Sequence, residues 1–235
     1  MSDVDPTYWD ALTRLLDSAA VSTVVDVGAN RGDMAARFAD AWPQARVLAV
    51  EPIPEVFAGL CARFDGRPGI ECVNVALGAM AGEADFHVNR IDATSSLFPR
   101  ERVARRYFAA GDVPQRTLRV PVRTLDELAE QRGLAHVDLL KLDTQGAELS
   151  IFQGARRLLA AQAIDVIYSE FFVVPHYEDA PLLHQQWSFL AGFGYSLFDL
   201  FRGPHGRNGQ LRFGDAIFVS ASFRRARLDV APPED

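Results

Sequence analysis

The chain has little cysteine, no long apolar run, no excess of positive charge and no low-complexity linker, and each lack removes a class of protein. Only Cys61 and Cys72 occur in 235 residues. Neither has a partner at metal-ligand spacing, which excludes a disulfide framework and a cysteine-based zinc site, and two packed, reduced thiols are expected. No apolar run reaches the roughly 20 residues that a membrane span requires. The acidic start Met1-Ser2-Asp3-Val4-Asp5 is the reverse of a basic, then apolar, export signal, so a cytoplasmic location is the expectation. The net charge is −7, so the field of the whole molecule repels polyanions, and no basic face is studded with aromatics. A nucleic-acid partner is therefore not expected. Without repeats or Pro/Gly/Ser-rich joints, a composition 49% hydrophobic and 23% charged predicts one sizeable globular core.

What is present is a regular alternation. Residues 6–19 carry Tyr8, Trp9, Leu12, Leu15 and Leu16 at helical spacing, which predicts an amphipathic helix in an N-terminal segment, residues 1–20. Strands are then predicted at Thr23–Val27, Arg46–Val50, 70–75, Val137–Leu142, 164–168, 196–200 and 216–219. Helices are predicted at 34–41, 55–64, 125–132, 148–159 and 182–191. Continuous apolar strands separated by helices indicate an α/β fold with a parallel sheet covered on both faces. Residues 83–122 break the rhythm: strands at 84–88 and 117–122 flank a polar, Arg-rich stretch, as in an insertion or cap over one end of the sheet. The main domain is expected to span residues 21–222, with a loose, charged tail at 223–235.

Open α/β sheets bind ligands at the carboxyl ends of their strands, beside the switch in strand order. The loop Asp26-Val27-Gly28-Ala29-Asn30-Arg31-Gly32 follows the first predicted strand. Gly28 and Gly32 bracket a turn where a Cβ is expected to collide with a ligand, and the next helix directs free N–H groups at the same point. Glu51 ends the second strand, where a carboxylate can accept from both hydroxyls of a ribose. Pro52 fixes the chain direction and walls the adenosine side. A dinucleotide site wants G-x-G-x-x-G, with a glycine where Asn30 stands, to admit a pyrophosphate. The spacing Asp26-x-Gly28-x-x-x-Gly32 instead suits the zwitterionic tail of S-adenosylmethionine. That cofactor is expected on Asp26, Gly28, Ala29, Asn30, Gly32, Glu51 and Pro52, with Asn74 and Ala76 near the adenine. An NAD(P)-dependent oxidoreductase and a catalytically inactive S-adenosylmethionine-binding module remain as alternatives.

A second cluster, Lys141-Leu142-Asp143-Thr144-Gln145-Gly146-Ala147-Glu148, ends an apolar strand in polar residues and turns into a helix. Arg123-Thr124-Leu125-Asp126-Glu127-Leu128 precedes it and Phe152-Gln153-Gly154-Ala155 follows. With these three elements the chain resembles the FkbM family of methyltransferases, which typically carries T-L-D-x-L, then K-I-D-x-x-G-x-E, then G-A. Many members have Val-Glu where this chain has Thr144-Gln145. Ser95-Ser96-Leu97 and Asp215-Ala216-Ile217-Phe218-Val219 are similar to further family elements, so the resemblance runs from Val24 to Val219. It implies a Rossmann-like class I methyltransferase fold, a seven-stranded, mostly parallel sheet with helices on both faces and an antiparallel last strand. It also implies methyl transfer to a hydroxyl oxygen of a sugar or other secondary metabolite. The acceptor would then be a small molecule or glycan, with Ser95 and Ser96 lining the active site.

A free alcohol is too weakly acidic to attack a sulfonium methyl at neutral pH, so a general base or a metal is expected. Asp143 and Glu170 end neighbouring predicted strands and are the carboxylate candidates; Asp143 is also placed to cap the helix after Gly146. His176 is the imidazole candidate because it titrates near neutral pH, although a lone loop histidine is more often a surface residue. Asp143, Glu170 and His176 together offer oxygen and nitrogen ligands for a divalent cation, but their spacing is no metal motif and no metal is assigned. Glu148 reads as a first-turn acid favoured by the helix dipole, and Lys141 as half of a structural salt bridge. Residues 100–106 read as a basic helix, either a solvated face or a clamp for an anionic acceptor. The apolar N-terminal helix is a candidate homodimer surface.

Overall fold

The computed structural model of the chain describes residues 6–16, 21–100 and 114–230. After α1 (Pro6–Leu16) come β1 (Thr23–Val27), α2 (Asp33–Ala41), β2 (Arg46–Val50), α3 (Pro54–Arg63) and β3 (Ile70–Val73). Two short elements and a long one follow: β4 (Ala76–Leu77), β5 (Gly82–Asn89), a 3₁₀ turn at Asp92–Thr94, and β6 (Pro114–Arg123). The alternation resumes with α4 (Leu125–Gln131), β7 (Val137–Leu142), α5 (Glu148–Gln153), α6 (Arg156–Ala160), β8 (Ile164–Phe172) and α7 (Leu183–Ala191). The chain closes with β9 (Tyr195–Arg202), β10 (Phe213–Ser220) and α8 (Ala221–Phe223), which runs into a wider helical turn at Arg224–Leu228.

Seven strands form one sheet in the order β3-β2-β1-β7-β8-β10-β9. β1, β2, β3, β7 and β8 pair in parallel, and β10 runs antiparallel between β8 and β9. This is the class I methyltransferase arrangement. Strand order reverses between β1 and β7, so the switch point lies at the end of the glycine loop. Strand residues alternate between the two faces. Val25, Val27, Leu140 and Leu142 pack into one core, and Val24 and Leu139 into the other. That second face carries charge where β1 meets β7: Asp26 and Lys141 are direct partners in the register, both buried, with Oδ1 3.0 Å from Nζ.

β4, β6 and β5 make a separate three-stranded sheet with a small core of its own, which includes Phe86, Val88 and Val120. β5 and β6 flank the stretch expected as an insertion or cap. α1 lies over the sheet on the other side, stacking Tyr8 on Tyr168 with ring centroids 4.5 Å apart and burying Leu12 and Leu16 fully.

The T-L-D element proves architectural. Thr124 Oγ1 accepts from the Glu127 N–H and Glu127 Oε2 from the Thr124 N–H, both at 3.1 Å, a reciprocal cap that starts α4. Leu125 is fully buried, and Asp126 accepts from the N–H groups of Arg157 and Leu158 (2.8 and 3.1 Å) at the start of α6.

Several boundaries differ from expectation. The helix expected over 148–159 is two helices broken at Gly154, where a Cβ would run into the Gly78 carbonyl. β8 continues past residue 168 to Phe172 because Phe171 and Phe172 are buried and pair with β10, which places Glu170 inside a strand. The tail expected to be loose from residue 223 is helical to Leu228, with Phe223 packed in the core. No helix among the described residues is long and apolar enough to cross a membrane.

The buried pair gives a test of the framework. Lys141→Ala strands the Asp26 carboxylate and is expected to lower the unfolding free energy by about 3–5 kcal/mol. Asp26→Leu with Lys141→Met is expected to recover most of that loss, with urea denaturation reading both.

Candidate active site

The turn after β1 is held from two sides. The N–H groups of Gly28 and Ala29 both donate to the Val50 carbonyl at 3.0 Å, and the Asp143 N–H donates to the Val27 carbonyl at 3.1 Å. Gly28 sits at φ 75, and a Cβ there would meet the Asp143 carbonyl oxygen. At Gly32, φ 83, a Cβ would press on Leu60 and Phe64 of the α3 layer. Both glycines are thus required by protein neighbours, and Gly28 also lines the cavity. Asn30 takes φ 48, a left-handed conformation that asparagine tolerates better than most residues.

A cavity opens at the switch point, with about 600 Å³ of empty space counting its mouth. The turn contributes Gly28 and Asn30, the end of β2 contributes Glu51, Pro52 and Ile53, and β4 contributes Ala76. Asp143, Thr144 and Gln145 line the opposite side, and the cap adds Phe86, Asp92 and Ser95.

Glu51 is buried at the cavity wall. Its Oε2 accepts from the Asn30 N–H (3.0 Å) and its Oε1 from the Ile53 N–H (2.8 Å). Burial pushes its carboxyl up to about 7, against the pull of those two hydrogen bonds. The folded chain therefore takes up this proton before an unfolded one does. The stability Glu51 contributes is fullest below the ordinary carboxylate range and is lost as pH rises through about 7.

Not every expected residue reaches the cavity. Asp26 faces the α1 side, where burial pushes its carboxyl up and the Lys141 ammonium opposes that rise. Burial alone would lower Lys141, yet Asp26 and Asp143 hold it above the usual lysine range, so the lysine is charged. Lys141 Nζ also donates to the Gly28 carbonyl at 3.2 Å. Ala29 and Gly32 do not line the cavity, and Asn74 Nδ2 donates to the carbonyls of Glu51 and Pro52 (2.8 and 3.2 Å). Asn74 thus braces the acid-bearing turn from behind. Ser96 is likewise structural: its hydroxyl donates to the Gln145 carbonyl at 2.7 Å. Ser95 lines the cavity while its Oγ accepts from the Asn89 N–H at 3.0 Å.

The turn after β7 is organised by Glu148 rather than Asp143. Glu148 is fully buried; its Oε1 accepts from the N–H and hydroxyl of Thr144, both 2.9 Å, and its Oε2 from the Gly146 N–H at 3.0 Å. That leaves the half-exposed Asp143 carboxylate at the cavity, with Oδ1 3.0 Å from Gln145 Nε2 and Oδ2 3.8 Å from Lys141 Nζ. Gln145 Nε2 also donates to Glu170 Oε2 at 2.7 Å. Burial first, then the charges of Asp143 and Glu148, raise the Glu170 carboxyl well above its ordinary range. Glu170 lies behind Gln145 and does not line the cavity.

His176 departs most from expectation. It is buried, stacks on Phe172 with centroids 4.8 Å apart, donates from Nδ1 to the Val174 carbonyl (2.8 Å) and presents Nε2 to Arg212 Nη2 (3.3 Å). Burial, with the nearby Arg212 cation, pushes it down to about 4. Its Nε2 is engaged by Arg212, and the ring does not line the cavity that Asp143 faces. Nor do Asp143, Glu170 and His176 converge as a three-ligand set among the described residues. Arg100 Nη2 donates to Thr94 Oγ1 at 2.5 Å; the rest of the expected basic helix, residues 101–106, lies outside the described residues.

Sequence reasoning passed over Gln145, Phe86 and Asp92. Only Gln145 carried a signal, its departure from the Glu that many resembling sequences have at that place.

A family model described as methyltransferase FkbM domain matches residues 26–197. The 2-O-methyltransferase NoeI of Sinorhizobium fredii is 26% identical over 156 residues, 63% of this chain and 62% of that protein. The methyltransferase sdnD of Sordaria araneosa is 30% identical over 155 residues, 56% of this chain and 59% of its own. The chain thus aligns with about six tenths of the length of these curated relatives. Among solved structures, magnesium protoporphyrin IX methyltransferase from Synechocystis superposes with TM-score 0.52 at 11% identity, covering 92% of this chain and 79% of that one. Precorrin-6y C5,15-methyltransferase from Geobacter metallireducens gives TM-score 0.51 at 12% identity, covering 93% and 90%. At such identities the likeness is one of fold.

The His176 geometry predicts a pH profile. Its ring is expected to stay neutral at pH 6 and to titrate near 4 in nitrogen-detected NMR. The stability it contributes is full above the ordinary histidine range and is lost as pH falls toward 4.

Proposed function

The chain belongs to the methyltransferase FkbM domain family, and from that premise we propose that it transfers the methyl group of S-adenosylmethionine to a hydroxyl oxygen of a sugar or other small secondary metabolite. One observation carries the reading: Glu51 and Asp143, at the carboxyl ends of β2 and β7, line one cavity on either side of the Gly28 turn.

The residues present fit S-adenosylmethionine. Each Glu51 oxygen has spent one lone pair on a backbone N–H and keeps another for a ribose hydroxyl. Pro52, Ile53 and Ala76 offer an apolar slot for a purine, and Gly28 leaves the turn low enough for a zwitterionic tail. The cofactor, when bound, supplies a methyl carbon on a positive sulfur, open to in-line displacement. Asp143 is the carboxylate exposed to the cavity, so it is the group assigned to accept the proton of the attacking hydroxyl. Phe86, Asp92 and Ser95 supply the cap side of the cavity wall. The hydroxyl acceptor draws its support from the 2-O-methyltransferase relative. The secondary-metabolite class draws on the family resemblance, which runs from Val24 to Val219.

Titration calorimetry tests the cofactor assignment. S-adenosylmethionine is expected to bind and NADH is not; the reverse result would end the proposal. Glu51→Ala is expected to weaken S-adenosylmethionine binding roughly 10- to 100-fold, as for lost hydrogen bonds to a charged group. Because the ionised carboxylate accepts best, affinity is expected to fall about tenfold per pH unit as pH drops below about 7. Asp143→Asn is expected to lower kcat by about 10²- to 10⁴-fold and leave cofactor affinity nearly unchanged. Methylation of candidate sugars and hydroxylated metabolites, followed by mass spectrometry, reads it. An equal loss in affinity would move Asp143 out of the proton-transfer role.

A further inference from the structure

At the ends of β7 and β8 one amide lies between two carboxylates. Gln145 Nε2 is 3.0 Å from Asp143 Oδ1 and 2.7 Å from Glu170 Oε2. An amide nitrogen has two hydrogens, one for each acid. Carboxylate oxygens only accept, which turns the NH₂ end of the amide toward them, while the Tyr177 hydroxyl lies 2.9 Å from Gln145 Oε1 and 2.8 Å from the Thr94 carbonyl. The backbone of Gln145 is left-handed, φ 58, which a residue with a Cβ disfavours. Ser96, from the cap, holds it there through the Gln145 carbonyl at 2.7 Å. A residue kept in a disfavoured conformation by contacts from three segments is one whose placement the surroundings determine.

Converging carboxylate oxygens are the donors a hard divalent cation selects. Here a nitrogen bearing two hydrogens stands at their common point. We propose that the Gln145 amide takes the place a divalent cation would occupy between Asp143 and Glu170, so that Gln145 is a positioning residue and the site holds no such ion. The amide satisfies both acids, aims Asp143 at the cavity and keeps Glu170 behind it. This rests on the reading of Asp143 as the residue facing the acceptor hydroxyl.

Mn²⁺ titrated into the full chain at pH 8, with free ion read by electron paramagnetic resonance, tests it. The wild type is expected to bind no stoichiometric Mn²⁺ up to about 1 mM, the weak end of oxygen-ligand sites. Gln145→Glu turns the donor into a third carboxylate and is expected to raise Mn²⁺ affinity about 100-fold, a gain in ligand charge that Asp143→Asn in the same chain abolishes. Gln145→Gly suits the left-handed backbone, so it tests the idea even if the glutamate variant fails to fold. Freed of the amide, its two acids are expected to bind Mn²⁺ about tenfold more tightly than the wild type does. Stoichiometric Mn²⁺ on the wild type that Asp143→Asn removes would overturn the proposal, as would unchanged affinity in both Gln145 variants. S-adenosylmethionine binding measured on the same wild-type sample reads the functional assignment separately.

Discussion

The Lys141 ammonium is enclosed between the Asp26 carboxylate and the Gly28 carbonyl, and the placement of the site follows from that contact. Asp26 belongs to β1, the strand that delivers the glycine turn; Lys141 belongs to β7, the strand that delivers Asp143. One buried charge therefore fixes two neighbouring strand ends to each other at the switch point, where a displacement would pass straight into the cavity. A buried pair is weak evidence of net stability, since replacing it with apolar residues is often harmless. Its value here is geometric: the same nitrogen that pairs with Asp26 also orients the turn through a backbone oxygen.

A division of labour follows around that joint. On the α1 side the sheet presents Asp26, Lys141 and Tyr168, sealed by Tyr8 and its helix. On the other side Val25, Val27, Leu140 and Leu142 carry the larger core. The cavity lies at the strand ends between these layers, where the second sheet, with a core of its own, adds to its wall. Residues that look chemical in sequence divide the same way: Thr124, Asp126 and Glu148 are spent on helix starts and turns, and Asp143 and Glu51 are left facing open space.

Sequence pattern made much of this legible. The parallel strands announced themselves as unbroken apolar runs, and the missing glycine at Asn30 separated two cofactor classes. Glu51 and Asp143 were found because each ends such a run. What pattern could not supply was direction. Asp26 and Val27 are neighbours in sequence and face opposite ways, so membership of a motif did not place Asp26 in the cavity. His176 reads as a candidate base or a surface loop residue because nothing local discloses that Phe172 and Arg212 will enclose it. Gln145 matters through partners on β8 and at Tyr177, contacts that exist only once the sheet has formed.

The carboxyl of Glu51, held near neutrality by burial, has a thermodynamic consequence. A carboxyl raised to about 7 is partly protonated in the unliganded molecule at neutral pH, and on the proposed reading, in which ribose hydroxyls donate to the ionised form, binding expels that proton. Cofactor binding would then also release part of a proton, and the measured heat would include the protonation of whatever buffer receives it. Enthalpies taken in phosphate and in Tris would differ by that share of the two buffers' ionisation heats. The difference would count protons leaving one side chain.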